Sequence, residues 1–203
     1  MEDKSDIEIL REFAKSTNRL IEVKELLYPR TGIRTTRKYK RMVYMPNNPE
    51  KTSFFIWFND PYSNSKIGQT TIFSGAFIPL STKIKSNLKI RNRYILDKLN
   101  LFAKTKDNKI GNGQFDSRVL ISGTLDAETK RLLSSSKIQK QILMALEIEK
   151  YFNISINQYS IDFVPELNKN PNFSIINRQG WEIDKKNIEK MFSRIEKIRE
   201  MIH

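Results

Sequence analysis

The chain opens with apolar residues at helical spacing. Ile9, Leu10, Phe13, Leu20, Ile21 and Leu27 fall broadly on one side, Ser5 and Glu8 can form a capping box, and Pro29 stops the run. This predicts an N-terminal helix over residues 5–28. Beyond it the period changes to two. Lys40–Met45 and Thr52–Phe58 read as strands joined by the turn Pro46-Asn47-Asn48-Pro49. In the second, Phe54, Ile56 and Phe58 face one way and Phe55 and Trp57 the other, the pattern of a central strand covered on both sides. Gln69–Leu80 reads as a strand in which Gly75 marks a bulge or a close backbone approach. Lys83–Tyr94 alternates: Ile84, Ser86, Leu88, Ile90, Asn92 and Tyr94 make one mostly apolar face, and Lys83, Lys85, Asn87, Lys89, Arg91 and Arg93 lie on the other. Because it follows Gln69–Leu80 almost at once, the two are expected to pair as an antiparallel hairpin. Residues 40–94 would then be a meander of four to five strands.

After a polar turn over 104–114, Phe115–Gly123 reads as another strand. Asp126 is the expected N-cap of a helix that the serines at 134–136 interrupt, and Ser136 with Gln139 suggests a second capping box for a helix running to about Lys150. Segments 153–156 and 158–164 read as a strand pair or one bulged strand, and Phe173–Asn177 as a further strand. Trp181 is expected in the core or at a cap. Asp184 then caps the most regular helix of the chain, with Ile188, Met191, Phe192, Ile195, Ile198 and Ile202 facing inward. Strands come first and helices gather toward the ends, so the expected class is α+β. In that reading a mostly antiparallel sheet over 40–177 is packed by helices at 5–28, 126–150 and 184–202. The N-terminal helix of 1–28 precedes one α+β domain of 29–203, basic and β-rich to 114 and mixed thereafter.

Charge sharpens this picture. The net +13 is unevenly spread: residues 29–114 hold 17 basic and 4 acidic groups, whereas 115–203 hold 14 and 12. A segregated excess implies a directed field and an anionic partner. The candidate contact residues are Arg30, Arg34, Arg37, Lys38, Lys40 and Arg41 in a basic arm, and Lys83, Lys85, Lys89, Arg91 and Arg93 on the alternating strand. The absence of cysteine excludes disulfides, zinc–thiolate sites, iron–sulfur clusters and thiol nucleophiles, and the lone histidine, His203, excludes histidine triads. No apolar run reaches the roughly 20 residues of a membrane span, and the acidic start lacks the plan of a secretory signal. A cytoplasmic location is expected, with no cofactor.

The order Phe115-Asp116-x-x-Val119-x-Ile121-x-Gly123, a helix ending Leu132-Leu133, a longer helix, short strands and a closing helix resembles a soluble domain of bacterial proteins of unknown function. Some of those proteins carry membrane helices before the domain, which this chain lacks, and its middle is far more basic. The resemblance covers about residues 70–203 and implies a fold, with no catalytic residues to carry over. The leading functional reading is therefore a non-catalytic module that presents a basic sheet face and arm to a polyanion, nucleic acid foremost. The alternative is an interaction or scaffold protein at an anionic lipid surface or in a protein assembly, with a protein partner or homo-oligomer. A second alternative is a metal-dependent nuclease, since Asp116 precedes Glu128-Thr129-Lys130 at the spacing of nuclease metal ligands. Against it, Asp126 and Glu128 fit the first turn of a helix, where acids complement the helix dipole.

Overall fold

The computed structural model describes residues 5–29, 38–64, 69–94, 97, 107–177 and 183–202. The class is α+β, built on one eight-stranded, wholly antiparallel sheet. In chain order the elements are α1 (Asp6–Ser16), β1 (Glu22–Leu27), β2 (Tyr39–Pro46), β3 (Phe54–Asn64), β4 (Gln69–Pro79), β5 (Asn87–Asn92), α2 (Gly113–Arg118), β6 (Val119–Thr124), α3 (Ala127–Leu133), α4 (Ser136–Leu146), β7 (Phe152–Ile156), a 3-10 turn (Pro165–Leu167), β8 (Asn172–Asn177) and α5 (Lys185–Ile202). The strands lie in the order β1-β2-β3-β4-β8-β7-β5-β6. Among the described residues no helix is long and apolar enough to cross a membrane.

Two cores sandwich the sheet. Leu10 and Phe13 of α1, Ile138 and Ile142 of α4, and Ile188, Met191, Phe192, Ile195 and Ile198 of α5 pack on one face against Val43, Phe55, Trp57, Ile78, Ile90 and Ile175. On the opposite face Phe54, Ile56, Phe73, Phe77 and Ile176 are covered by Ile161, Val164 and Leu167. β3 is thus buried on both sides, as its two aromatic sets imply. Gly75 marks a close approach: a Cβ there would run into the carbonyl oxygen of Ile175 and stand 3.0 Å from the Cα of Ile176, both backbone atoms of β8.

Several expectations are corrected. The helix expected over 5–28 ends at Ser16, with the Ser5–Glu8 capping box in place. Asn18 takes a positive φ of 53°, a left-handed conformation that asparagine tolerates and that ends the helical path. Glu22–Leu27 is then free to pair as an edge strand with Tyr39–Tyr44. The β4–β5 hairpin does not form. β8 and β7 lie between these strands, because Leu88 and Ile90 find apolar partners in Ile156 and Ile154 on one side while Ile90 meets Ile121 on the other. The strand inside Lys83–Tyr94 shortens to β5, although Ile84, Ser86, Leu88 and Ile90 remain the buried set.

Phe115 and Asp116 lie on a helix rather than a strand. The Asn112 side chain accepts the Gln114 and Phe115 amides at 3.1 and 3.2 Å and caps α2, so the strand begins at Val119. The N-cap of α4 is Ser135, without a side-chain cap bond, and the helix ends at Leu146. Gln139 instead donates to the Leu133 carbonyl at 2.9 Å, bridging the break between α3 and α4. Segment 158–164 is not a strand; it supplies the apolar cover of the second core. Trp181 lies outside the described residues.

Candidate polyanion-binding surface

The eleven candidate cations do not form one surface. β2 and β5 are five strand spacings apart, about 24 Å at about 4.8 Å per strand. Arg30, Arg34 and Arg37 lie outside the described residues. The remaining eight divide into three groups.

The first group, on β5, is tied into the fold. Arg91 grips Asp97 with both terminal nitrogens, at 2.7 and 2.8 Å, and its guanidinium lies 5.1 Å from the centre of the Tyr94 ring. The Arg91 hydrogen bonds, outweighing partial burial, hold the Asp97 carboxyl down at about 2. Arg93 donates to Asp107 at 2.5 Å, to the Val119 carbonyl at 2.9 Å and to the Asp116 carbonyl at 3.3 Å; its side chain is 12% exposed. Burial pushes Asp107 up, but hydrogen bonds from Arg93 and Lys109 outweigh it and leave the carboxyl below its ordinary value. Lys89 is half-buried, in register with Ser122 and Ser155 on the flanking strands. Arg91 and Arg93 are therefore clasps that bind the ends of the 93–107 connection back onto β5 and β6, and little of their charge remains for an external anion.

These two arginines therefore contribute to the stability of the fold. Replacing Arg93 with Gln would deprive Asp107 of its shorter-range partner and leave two carbonyls short of a donor. The expected loss is about 2–3 kcal/mol in urea unfolding. A midpoint equal to the parent's would show that the clasp carries no stability.

The second group sits before β5. Lys83 and Lys85 are exposed; the Lys85 amide donates to Asp126 at 2.7 Å, and Lys83 lines a cavity of about 410 Å³ with Glu128, Arg131 and Ile138. Burial raises the Asp126 carboxyl, yet the Thr129 and Lys85 amides prevail and bring it to about 2. Asp97 and Asp126 thus both titrate, when folded, below the ordinary 3.8. A depressed folded pKa gives stabilisation that is complete above the unfolded value and is lost as pH falls through the folded one. Thermal midpoints are expected to fall between about pH 4 and pH 2, less steeply in Asp126→Asn, whose amide cannot titrate. Identical acid profiles for variant and parent would contradict this.

The third group lies at the loop end of the β1–β2 hairpin, where the Tyr28 amide closes the pair on the Lys38 carbonyl at 3.0 Å. Each cation here lies over a ring: Lys38 is 5.6 Å from the Tyr62 centroid, Lys40 is 5.4 Å from Phe58, and Arg41 is 5.6 Å from Tyr39. Tyr28 donates to Asp60 at 2.9 Å and meets Tyr62 edge to face at 5.1 Å. Arg41 reaches Glu25 at 2.6 Å and Lys40 reaches Asp60 at 3.6 Å. Tyr39 remains 43% exposed. Alternation along the strands puts Lys40 on the face of Phe58 and Arg41 on the opposite face, beside a cavity of about 580 Å³ that Trp57 and the first turn of α1 also line.

The residues of the nuclease reading are used otherwise. Both Asp116 oxygens accept backbone amides, from Ile110 at 3.1 Å and Gly111 at 3.0 Å. Glu128 pairs with Arg131 at 2.7 Å in the first turns of α3. Among the described residues no group of three or more acidic or histidine side chains could hold a metal ion.

One surface went unnoticed in the sequence because 115–203 is nearly charge-balanced. The acids there turn toward partners: Glu189 to Arg19, Glu147 to Arg118, and Glu196 to Ser53 and Thr52 at 2.6 Å and Arg199 at 2.7 Å. Lys137, Lys140, Lys186, Lys190 and Lys197 stay exposed on α4 and α5. The signal was present as lysines opposite the isoleucine stripe of the last helix. Comparison with protein-family models, with curated proteins and with solved structures gives no match for this chain.

Proposed function

We propose that the protein is a binding module that holds nucleic acid at the hairpin end of its sheet. The interleaving of Lys38, Lys40 and Arg41 with Tyr62, Phe58 and Tyr39 carries this reading. Cations neutralise phosphates and release counterions, while an exposed ring such as Tyr39 offers a stacking face to an unpaired base. Residues 24–41 hold seven basic groups and one acidic one, so an excess survives the pairing of Arg41 with Glu25 and of Lys40 with Asp60. Arg30, Arg34 and Arg37, outside the described residues, belong to the same stretch and to the same proposal. Arg91 and Arg93 leave the contact set, since aspartates clasp them.

Fluorescence anisotropy on labelled single- and double-stranded DNA across a salt series tests this. In the triple variant Lys38→Gln, Lys40→Gln, Arg41→Gln, the slope of log affinity against log salt should flatten by about two to three units on a duplex. Tyr39→Ala should weaken single-strand binding by about 1–3 kcal/mol and barely change duplex binding. A parent that binds neither form at about 50 mM salt, where phosphate contacts are strongest, would sink the proposal.

A further inference from the structure

We infer that the helical layer carries a second nucleic-acid contact, a basic face made by α4 and α5 that fits the phosphate backbone of a duplex. This rests on the nucleic-acid reading above but on separate residues. Lys186, Lys190 and Lys197 recur at spacings of four and seven residues on the side of α5 away from Ile188, Phe192 and Ile195. From Lys186 to Lys197 the ridge runs about 16 Å. α4 lies antiparallel beside it: Arg194 reaches Gln141 at 3.3 Å, and Asn187 reaches Glu149 at 3.4 Å. Lys137 and Lys140, one turn or less from Gln141, are exposed on α4. Among the described residues none of the five lysines forms an ion pair; their acidic neighbours Glu189, Glu196 and Glu147 are committed elsewhere, and Glu200 is the exposed acid that remains on α5.

The partner follows from what the face holds. A duplex presents about one negative charge per 1.7 Å of its axis, so a 16 Å cationic ridge meets a run of phosphates. The cations are lysines, with Arg194 alone as a fork; point charges on flexible stems suit backbone contact without base readout. An anionic bilayer would call for apolar side chains able to enter it. Of the large apolar side chains exposed among the described residues, only Met201 lies on these helices. The chemistry is that of the phosphodiester backbone, common to DNA and RNA.

The test uses the full chain and the variant Lys140→Gln, Lys190→Gln, Lys197→Gln, with labelled mixed-sequence DNA and RNA duplexes and with phosphatidylcholine–phosphatidylserine vesicles. The expected result is a duplex affinity at least about tenfold weaker at about 100 mM salt, with a salt slope flatter by about two to three units. The thermal midpoint should be unchanged, since these side chains are exposed. Equal losses on DNA and RNA identify the backbone as the ligand; a loss on one alone overturns the shared-backbone assignment. If the hairpin-end triple variant weakens duplex binding and this one does not, the inference fails while the proposed function stands. If the converse holds, this face carries binding and the hairpin end does not. Unaltered duplex binding with lost vesicle binding would assign the face to lipid instead, and a parent that binds no duplex would overturn both proposals.

Discussion

Phe192→Ala is expected to lower the unfolding free energy by about 3–5 kcal/mol, among the largest losses from any single truncation in the chain. The ring is 1% exposed and sits in the core between α5 and the sheet. It also supports a polar junction. The Arg19 guanidinium lies 4.8 Å from its centre and 5.6 Å from that of Phe13, donates to the Glu189 carboxylate and reaches the Asn47 carbonyl at 3.2 Å. Asn47 and its neighbours Thr52 and Ser53 bond Glu196 one helical turn further along α5 from Phe192. Removing the ring therefore opens a cavity and takes away the surface on which Arg19 rests, so that the α1 end, the β2–β3 turn and α5 loosen together. Phe192→Leu should keep most of the packing and cost less. Urea denaturation of the two variants decides the matter; a midpoint for the alanine variant equal to the parent's would show that the ring carries no core stability.

Gly75→Val is expected to cost on the order of 3 kcal/mol, at the upper end of overpacking, and to fail at one particular seam. The β4–β8 pairing joins the β1–β4 meander to the strands β8, β7, β5 and β6. A side chain at Gly75 would meet the Ile175 carbonyl and the Ile176 Cα, and backbone cannot move aside as a flexible side chain can. Nor is there room on that face, since Ile176 is itself packed under Ile161 and Val164. Hydrogen exchange should quicken first in β4 and β8. Protection there matching the parent's would mean that the sheet tolerates the added bulk and that the seam is not close-packed.

Both positions are legible in the local sequence. The inward stripe of α5 and its cap at Asp184, which accepts the Asn187 amide at 2.9 Å, follow from local spacing. So do the two buried faces of β3 and the Gly75 approach, because period and residue size act within one element. The α1 capping box and the break between α3 and α4 are of the same kind. Glu22–Leu27 was not legible, since Val23, Leu26 and Leu27 satisfy a helical stripe as well as a strand. Its pairing with β2 decides the conformation, and a long-range partner leaves no mark in the local period.

The surface charge went the same way. Alternation along Lys83–Tyr94 correctly separates a polar face from an apolar one, but it cannot say what meets the polar face. Asp97 and Asp107, six and fourteen residues beyond the arginines that clasp them, meet those arginines only in the folded chain. Conversely, the near balance of 115–203 hid a basic helical face, because charge counted along a sequence sums residues that folding sends to opposite sides. Which side of each element is apolar depends on neighbours within a few residues, and so is legible in the local spacing. Tertiary structure alone decided which strands pair and which cations keep their charge, since both depend on groups brought together from far along the chain.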